Sequence, residues 1–255
     1  YHKSYFSYSY LSDKKITEWT IYFASNDKSY GSVPRTCFSV DSTLNPEFQA
    51  LMKDYRGSGY DRGHLVPAAD MNFDSIAMYE SYLLTNVTPQ TPTFNRGVWK
   101  KLESIIRHLR EKKDSLVIIT GTIFKDTTHH STTLSGGIPV PEFYYKIVFD
   151  VEEFSAIGFV IPNHVSSDES DYPLETYIYS VADIEKLTDI NFFYKLPKRI
   201  QSIFENEVNY EDWILDSLFL NSYNKKHTDD SKMAFVIGNS DYYRESDKLK
   251  NPEND

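Results

Sequence analysis

Runs of apolar residues predict five β-strands along the chain. The segment ITEWTIYFAS, at 16–25, combines β-branched and aromatic residues in the way that strands do. Similar runs occupy 115–124, 140–150, 154–162 and 174–181. The stretch 60–72 contains glycine, proline and polar residues instead, and 85–95 contains two prolines among polar residues. Both are predicted to be ordered loops.

Other segments carry apolar residues at helical spacing. In DSIAMYESYLL, at 74–84, Asp74 is a candidate N-cap. The clearest helix is predicted for NRGVWKKLESIIRHLREKKD, which begins next to Asn95 and has basic residues between its apolar positions. Its apolar stripe comprises Val98, Trp99, Leu102, Ile105, Ile106 and Leu109. Strands and helices in mixed order predict an α+β fold, with a largely antiparallel central sheet flanked by helices.

The chain has 255 residues and shows no internal repeat. It turns hydrophilic and acidic towards its end, so we divide it into a folded domain at 1–213 and an acidic C-terminal extension at 214–255. No apolar run approaches the roughly 18 residues of a membrane-spanning helix, so no membrane span is expected. His129 and His130 lie in a polar loop without a carboxylate or cysteine at ligand spacing, which favours a solvated loop over a metal site.

The net charge of −10 taken alone argues against a nucleic-acid-binding protein, because phosphate contacts need lysine and arginine. The charge is unevenly distributed, however. Residues 205–255 contain twelve acidic and six basic residues, whereas residues 86–113 contain seven basic and two acidic ones. The basic segment is therefore either a solvated helix face or a surface for phosphates, and charge alone does not decide between them.

The stretch YDRGHLVPAADMN, at 60–72, gathers charged residues and a histidine around glycine and proline. It is either a polar surface loop or a loop that presents a catalytic base to a phosphate. Hydrolysis of a phosphodiester needs a base such as histidine, a cation to stabilise the leaving oxygen, and an arginine to bind the phosphate. The candidates for such roles are Arg62, His64, Asn86, Gln90, Asn95, Glu103 and Arg107.

Several of these candidates also have simpler roles open to them. Asn95 is at the start of a predicted helix, where asparagine commonly serves as a cap. Glu103 and Arg107 are four residues apart on one helix face and can form a surface ion pair. Glu103 follows Asn95 by about 12 Å of helical rise, so we expect it to hold metal-bound water rather than to share a metal with Asn95.

Two blocks of the chain closely resemble the signature of the DNA/RNA non-specific endonucleases, the family of mitochondrial endonuclease G and the exported sugar-non-specific bacterial nucleases. The blocks are YDRGHLVPAADM, at 60–71, and TNVTPQTPTFNRGVWKKLE, at 85–103. The resemblance extends over about residues 1–206. It implies a ββα-metal (His-Me finger) nuclease fold.

The resemblance also implies roles for individual residues. His64 takes the place of the general base, Asn95 that of the sole protein ligand of Mg²⁺, and Glu103 that of a holder of metal-bound water. Mn²⁺ or another divalent cation is expected to substitute for Mg²⁺. The remaining positions are Asn86 as a supporting amide, Arg62 and Arg107 as basic residues near the phosphate, and Arg35 and Gln90 as substrate-binding residues.

The function that follows is a magnesium-dependent endonuclease that cuts DNA and RNA with little sequence preference. Two alternatives stay open: a catalytically silent nucleic-acid-binding protein on the same fold, and a phosphodiesterase for small nucleotides. A non-specific nuclease endangers its own genome, and the later blocks resemble bacterial members, so a secreted or periplasmic location is expected. A homodimer is left open.

Overall fold

The structure, a computed structural model, describes residues 1–26, 31–113, 115–124, 132–165, 174–208 and 213. The predicted acidic extension at 214–255 lies outside the described residues, as do His129 and His130. Within the described part, no helix is long and apolar enough to cross a membrane.

In the described part of the chain, eight β-strands form two sheets. They are β1 (Phe6–Leu11), β2 (Ile16–Ser25), β3 (Asp61–His64), β4 (Val87–Gln90), β5 (Ser115–Ile123), β6 (Phe143–Asp150), β7 (Ser155–Pro162) and β8 (Ile178–Tyr179). Six of them make an antiparallel sheet in the order β1-β2-β5-β6-β7-β8, and β3 pairs with β4 in a separate antiparallel ribbon. The predictions of an α+β class and of a largely antiparallel central sheet are confirmed.

The helices lie around the sheets. They are α1 (Met52–Tyr55), α2 (Ser75–Ser81), α3 (Pro92–Phe94), α4 (Lys100–Lys112), α5 (Val181–Thr188) and α6 (Lys198–Phe204). Asp74 caps α2 as predicted, since its side chain accepts hydrogen bonds from the backbone N–H groups of Ile76 and Ala77. The strand predicted at 174–181 is only partly correct. A 3₁₀ turn at Leu174–Tyr177 precedes the two residues of β8, and Ser180 then caps α5.

Helices cover both faces of the six-stranded sheet, so its central strands are buried. All eight residues of β6 are buried. One face packs against α4 through Leu102 and Ile106, and the opposite face packs against α5 and α6 through Ile184 and Phe204. The predicted apolar stripe of α4 is confirmed, because every one of its members is buried.

The two segments predicted as loops, 60–72 and 85–95, contain the strands β3 and β4, so that prediction is wrong for their paired parts. In the ribbon, Asp61 lies opposite Gln90 and His64 lies opposite Val87. Each strand has only four residues, too few to establish an alternating pattern in the sequence. The ribbon leads through α3 into α4, which is the ββα arrangement that the resemblance implies.

A wide helical turn at Asn95–Trp99 connects α3 to α4. It is interrupted at Gly97, whose backbone angles, φ −99° and ψ −109°, are not helical. Trp99 is 1% exposed and stacks on Phe94, with their ring centres 5.0 Å apart. The turn therefore anchors the start of α4 in the core next to Asn95.

The far end of α4 is fixed by a second cluster. Trp213 is 1% exposed, and its Nε1 donates a hydrogen bond to Ser155 Oγ at 3.0 Å. The Nζ of Lys113 lies 5.0 Å from the centre of the Trp213 ring and 2.6 Å from Asp150 Oδ2. Residue 213 therefore packs as part of the domain.

Candidate active site

His64 ends β3 and is held by aromatic rings. Its ring centre is 5.2 Å from that of Phe38 and 4.8 Å from that of Tyr82. The side chain is half-buried, and Nε2 is shielded from solvent without a hydrogen-bond partner among the described residues. Burial, followed by the positive charge of Arg35, lowers the pKa of His64 to about 4. The imidazole is therefore neutral at neutral pH and able to accept a proton.

An extended segment next to His64 carries two further site residues, Arg35 and Phe38. It is tied down by backbone hydrogen bonds from Ser39 N to Tyr82 O, at 3.2 Å, and from Leu84 N to Ser39 O, at 2.8 Å. Arg35 is exposed. Its charge lowers the pKa of His64, so Arg35 is close enough to act on the candidate base.

Arg62 lies on the same strand as His64 and is also exposed. Its guanidinium carbon is 5.0 Å from the centre of the Phe38 ring, a cation–π distance that keeps the charged end near the surface. Two exposed cations, Arg35 and Arg62, thus flank the candidate base, where an anionic group can approach.

Asn95 is oriented by Asp61, the first residue of β3. The Nδ2 of Asn95 donates to Asp61 Oδ2 at 2.9 Å. Arg96 donates to the same carboxylate through Nε, at 2.8 Å, and Nη2, at 2.6 Å. Burial opposes ionisation of Asp61, but these hydrogen bonds from Arg96 and Asn95 outweigh it and hold the pKa of the carboxyl below its usual value.

The orientation of Asn95 fits a hard cation. A carboxylate only accepts hydrogen bonds, so the nitrogen end of the amide must face Asp61 and the oxygen end must face away. Oxygen is the ligand that Mg²⁺ prefers, and this ion commonly takes few protein ligands and keeps several waters. Among the described residues no group of three or more histidine, cysteine or acidic side chains could hold a metal ion. An amide oxygen and waters are thus the ligands this site offers.

The ribbon connects the two central candidates. Asp61, which holds Asn95, and His64 are the first and last residues of β3. Three strand residues correspond to about 10 Å along the backbone. The structure therefore anchors the candidate metal ligand at one end of a short strand and the candidate base at the other end.

Asn86 and Gln90, two further predicted site residues, are fully buried. Asn86 Nδ2 donates to Val66 O at 2.9 Å and to Ser81 O at 2.8 Å, and its Oδ1 accepts from Val66 N at 3.0 Å. Its amide thus bridges the backbone just after His64 and the end of α2.

Gln90 packs against Gly63 in the opposite strand, so closely that a Cβ added to Gly63 would lie 2.0 Å from Gln90 Cδ. Both amide atoms of Gln90 are buried without a hydrogen-bond partner in the described chain. This burial argues against the direct substrate contact predicted for Gln90, because a substrate cannot reach the side chain in this structure.

The ion pair predicted between Glu103 and Arg107 is replaced by another one. Arg107 Nη1 lies 3.2 Å from Asp70 Oδ1, and Tyr22 donates to Asp70 Oδ2 at 2.6 Å. Asp70 is 3% exposed and needs a counter-charge, which explains why Arg107 turns towards it. Burial raises the pKa of Glu103 to about 7, against the opposing effect of Lys146 on β6.

Several residues of the site were not predicted. Asp61 and Asp70 stand in the quoted stretch at 60–72, but their partners, Arg96 and Arg107, are distant in the sequence. Phe38 lies in an irregular segment without a motif. Lys146 is a single charged residue inside the apolar run YYKIVF, and this interruption of the run is the signal that the sequence offers.

The fold matches a solved structure, that of EndoG in complex with EndoGI. The match has a TM-score of 0.70 and 24% sequence identity, and it covers 78% of this chain and 87% of the other. At this identity the match demonstrates a common fold.

Sequence comparison finds nuclease relatives. The mitochondrial nuclease EXOG of Mus musculus is 31% identical over an alignment of 206 residues, and the match covers 74% of this chain and 55% of the relative. Nuclease C1 of Cunninghamella echinulata var. echinulata is 30% identical over an alignment of 203 residues, and that match covers 74% of this chain and 80% of the relative. The chain spans about half the length of the first of these. The relatives also include the mitochondrial nuclease of Saccharomyces cerevisiae, 29% identical over 198 residues and covering 70% of this chain and 60% of the relative.

A family profile for the DNA/RNA non-specific endonucleases matches residues 2–199. This range includes β3, β4 and α4 with the side chains described above. The resemblance inferred from two short blocks therefore extends over most of the chain. The chain belongs to the DNA/RNA non-specific endonuclease family.

Proposed function

We propose that this chain is a divalent-metal-dependent nuclease that hydrolyses phosphodiester bonds in both DNA and RNA. The observation that carries the proposal is the ββα unit itself. A neutral His64 ends β3, and the amide of Asn95 is held by a hydrogen bond to Asp61 at the start of the same strand. Family membership supports the same chemistry.

His64 acts as the general base. Because Nε2 is buried while part of the side chain stays exposed, the proton of the attacking water goes to Nδ1. A positioned base of this kind contributes roughly 10²–10⁴-fold to a rate. The depressed pKa keeps the ring unprotonated throughout the neutral pH range.

Asn95 would hold the metal through Oδ1, and Glu103 would accept hydrogen bonds from the waters around it. When bound, Mg²⁺ or another divalent cation polarises the phosphate and stabilises the departing oxygen. Asp61 serves this site indirectly, because it orients the amide of Asn95.

Arg35 and Arg62 bind the phosphate group that undergoes cleavage. Both are exposed beside His64, and an arginine can donate two parallel hydrogen bonds to a phosphate. Contacts to the phosphate backbone carry no sequence information, so cleavage is expected to show little sequence preference. Export of the protein and formation of a homodimer remain predictions from the sequence.

The test is cleavage of supercoiled plasmid and of a structured RNA, each with Mg²⁺ and with EDTA. We expect cleavage of both substrates that EDTA abolishes. Binding without cleavage would identify a silent nucleic-acid-binding protein instead. Cleavage of a dinucleotide but not of long chains would identify a small-nucleotide phosphodiesterase.

Two substitutions test the assigned roles. His64→Ala should lower the cleavage rate by about 10²–10⁴-fold because it removes the base, and Asn95→Ala should abolish the response to Mg²⁺. His108→Ala, on the exposed side of α4, is the matched control and should behave as the wild type. Wild-type rates in His64→Ala or Asn95→Ala would refute the assignment of that residue.

A further inference from the structure

Lys146 is a buried cation in the middle of β6. Only 1% of its surface is exposed, and its Nζ donates to Thr120 Oγ1 at 2.6 Å. The same atom lies 4.7 Å from the centre of the Trp99 ring. A buried ammonium group is costly unless a negative charge lies near it. Neither a hydroxyl nor an aromatic ring carries such a charge, so an acidic group must compensate.

The row of side chains on α4 indicates where that charge lies. Trp99, Glu103 and Arg107 follow one another at intervals of four residues and therefore share one side of the helix. Trp99 contacts Lys146, and Arg107 contacts Asp70 at 3.2 Å. Glu103 lies one helical turn from each of these two residues, Trp99 and Arg107, on the side of α4 that faces the sheet.

The four charges alternate and sum to zero: Lys146 from β6, Glu103 and Arg107 from α4, and Asp70 from the turn after β3. Tyr22 on β2, which donates to Asp70, and Arg110 on α4 are the other titratable groups that interact with this cluster. Burial raises the pKa of Glu103 to about 7, and Lys146 then opposes this rise. Burial lowers the pKa of Lys146 to about 8, and Glu103 opposes that fall.

We propose that Lys146 is a positioning residue of the active site, whose buried ammonium is the counter-charge that favours the ionised form of Glu103. An ionised carboxylate accepts hydrogen bonds from water on all its lone pairs, whereas a protonated one must donate one of its own. The inference depends on the proposed function only for the use that the site makes of Glu103. The electrostatic effect of Lys146 on Glu103 is independent of catalysis.

The direct test follows the titration of Glu103 by carbon-13 NMR of the metal-free protein with labelled glutamate. The Glu103 signal is assigned with Glu103→Gln. Lys146→Met and Lys146→Gln both remove the charge, and the second keeps a polar end that can reach Thr120. Both variants should raise the titration midpoint of the Glu103 carboxyl by roughly one pH unit or more, because the positive charge that favours its ionised form is lost.

Lys113→Met is the matched control, because Lys113 is another largely buried lysine, paired with Asp150 at the other end of α4. It should leave the Glu103 midpoint unchanged. An unchanged midpoint in both Lys146 variants, or an equal shift in Lys113→Met, would overturn the proposal. Using two neutral variants keeps the test decisive if one of them fails to fold.

The pH dependence of the cleavage rate distinguishes a positioning role of Lys146 from a purely structural one. In the Lys146 variants the acid limb of the pH–rate profile should move to higher pH, with activity recovering under alkaline conditions where Glu103 is ionised again. A loss of equal size at every pH would contradict the proposal. If the wild type cleaves no nucleic acid at all, the proposed function fails, whereas the NMR result still decides the role of Lys146.

Discussion

The carboxylate of Asp61 determines which end of the Asn95 amide points away from the ribbon. It accepts from Asn95 Nδ2 at 2.9 Å and from two nitrogens of Arg96 at 2.6–2.8 Å. Arg96 is mostly exposed, with 71% of its side chain accessible, while Asp61 is 17% accessible. Of the two partners, Asn95 therefore makes the better shielded contact, and its orientation depends on Asp61.

Asp61→Ala should weaken metal binding because it frees the Asn95 amide to rotate. We expect the Mg²⁺ concentration for half-maximal cleavage to rise about 10–100-fold, the usual effect of removing a group that orients a ligand. Titration of activity with Mg²⁺ measures this change. Arg96→Ala retains the hydrogen bond between Asp61 and Asn95, so it should shift the half-maximal Mg²⁺ concentration much less. Equal shifts in the two variants would argue against orientation of Asn95 by Asp61.

Arg35→Ala should raise the pKa of His64, because the variant removes one of the two causes that lower it. The base works only when neutral, so the acid limb of the pH–rate profile should move to higher pH. NMR titration of the imidazole in the metal-free protein measures the same change without turnover. Arg199→Ala, on the surface of α6, is the charge-matched control and should leave the His64 titration in place.

The β3–β4 ribbon depends on a glycine at its centre. Gly63 faces Thr88 in the opposite strand, and the side chain of Gln90 fills the space beside it. The close approach brings the backbone that carries His64 directly against the strand that leads to Asn95. Any side chain at position 63 would clash with the Gln90 side chain and force it to move.

Gly63→Ala should therefore lower the free energy of unfolding by about 1–3 kcal/mol through overpacking. Chemical denaturation of the double variant with Gln90→Ala should recover most of this loss, since the clash is with Gln90. Gly57→Ala provides the comparison. Gly57 has φ +69° and no atom within 4 Å of an added Cβ. The loss of stability in Gly57→Ala therefore comes from backbone strain alone, and Gln90→Ala should not relieve it.

Long periodic elements could be predicted from the sequence, whereas the parts that build the site could not. The helix α4 and the strand β2 repeat their apolar pattern often enough to be recognised. β3 and β4 have four residues each, and their pairing joins segments about 25 residues apart, which no local pattern encodes. His64 and Asn95 could be named from the motif, but the burial of Gln90 depends on that long-range pairing.

The charge partners on α4 could not be identified from the sequence for a related reason. Spacing along the helix allows Glu103 to pair with Arg107, but it says nothing of groups that other elements bring close. Asp70 and Lys146 come from a turn and from a strand, and both reach α4 only when the domain is assembled. Tertiary contacts with buried charges are stronger than an exposed pair on one helix, so they decide the arrangement.

The whole domain extends beyond the range matched by the family profile. That match ends at residue 199, yet Trp213 is buried in the principal core, against Lys113 and Ser155. The end of α4 and the turn between β6 and β7 are thereby joined by a residue from outside the match. This contact is at the opposite end of α4 from Asn95.

Trp213→Ala should lower the free energy of unfolding by about 3–5 kcal/mol, as the loss of a large buried aromatic side chain does. Equilibrium denaturation measures it, and the half-saturating Mg²⁺ concentration of the folded protein should stay unchanged. Ile203→Ala, at a side chain that is 63% exposed, should change stability by less than about 0.5 kcal/mol. A small effect of Trp213→Ala would mean that the core does not depend on this residue.

The wide turn at Asn95–Trp99 limits how this segment can vary in length. Each residue of a regular helix advances the direction of the side chain by about 100°. Insertion or deletion of one residue before Trp99, whose ring is fixed in the core, would rotate the amide of Asn95 away from its carboxylate partner. Point substitutions at the exposed positions of the turn are compatible with the site, whereas a change in residue number is not.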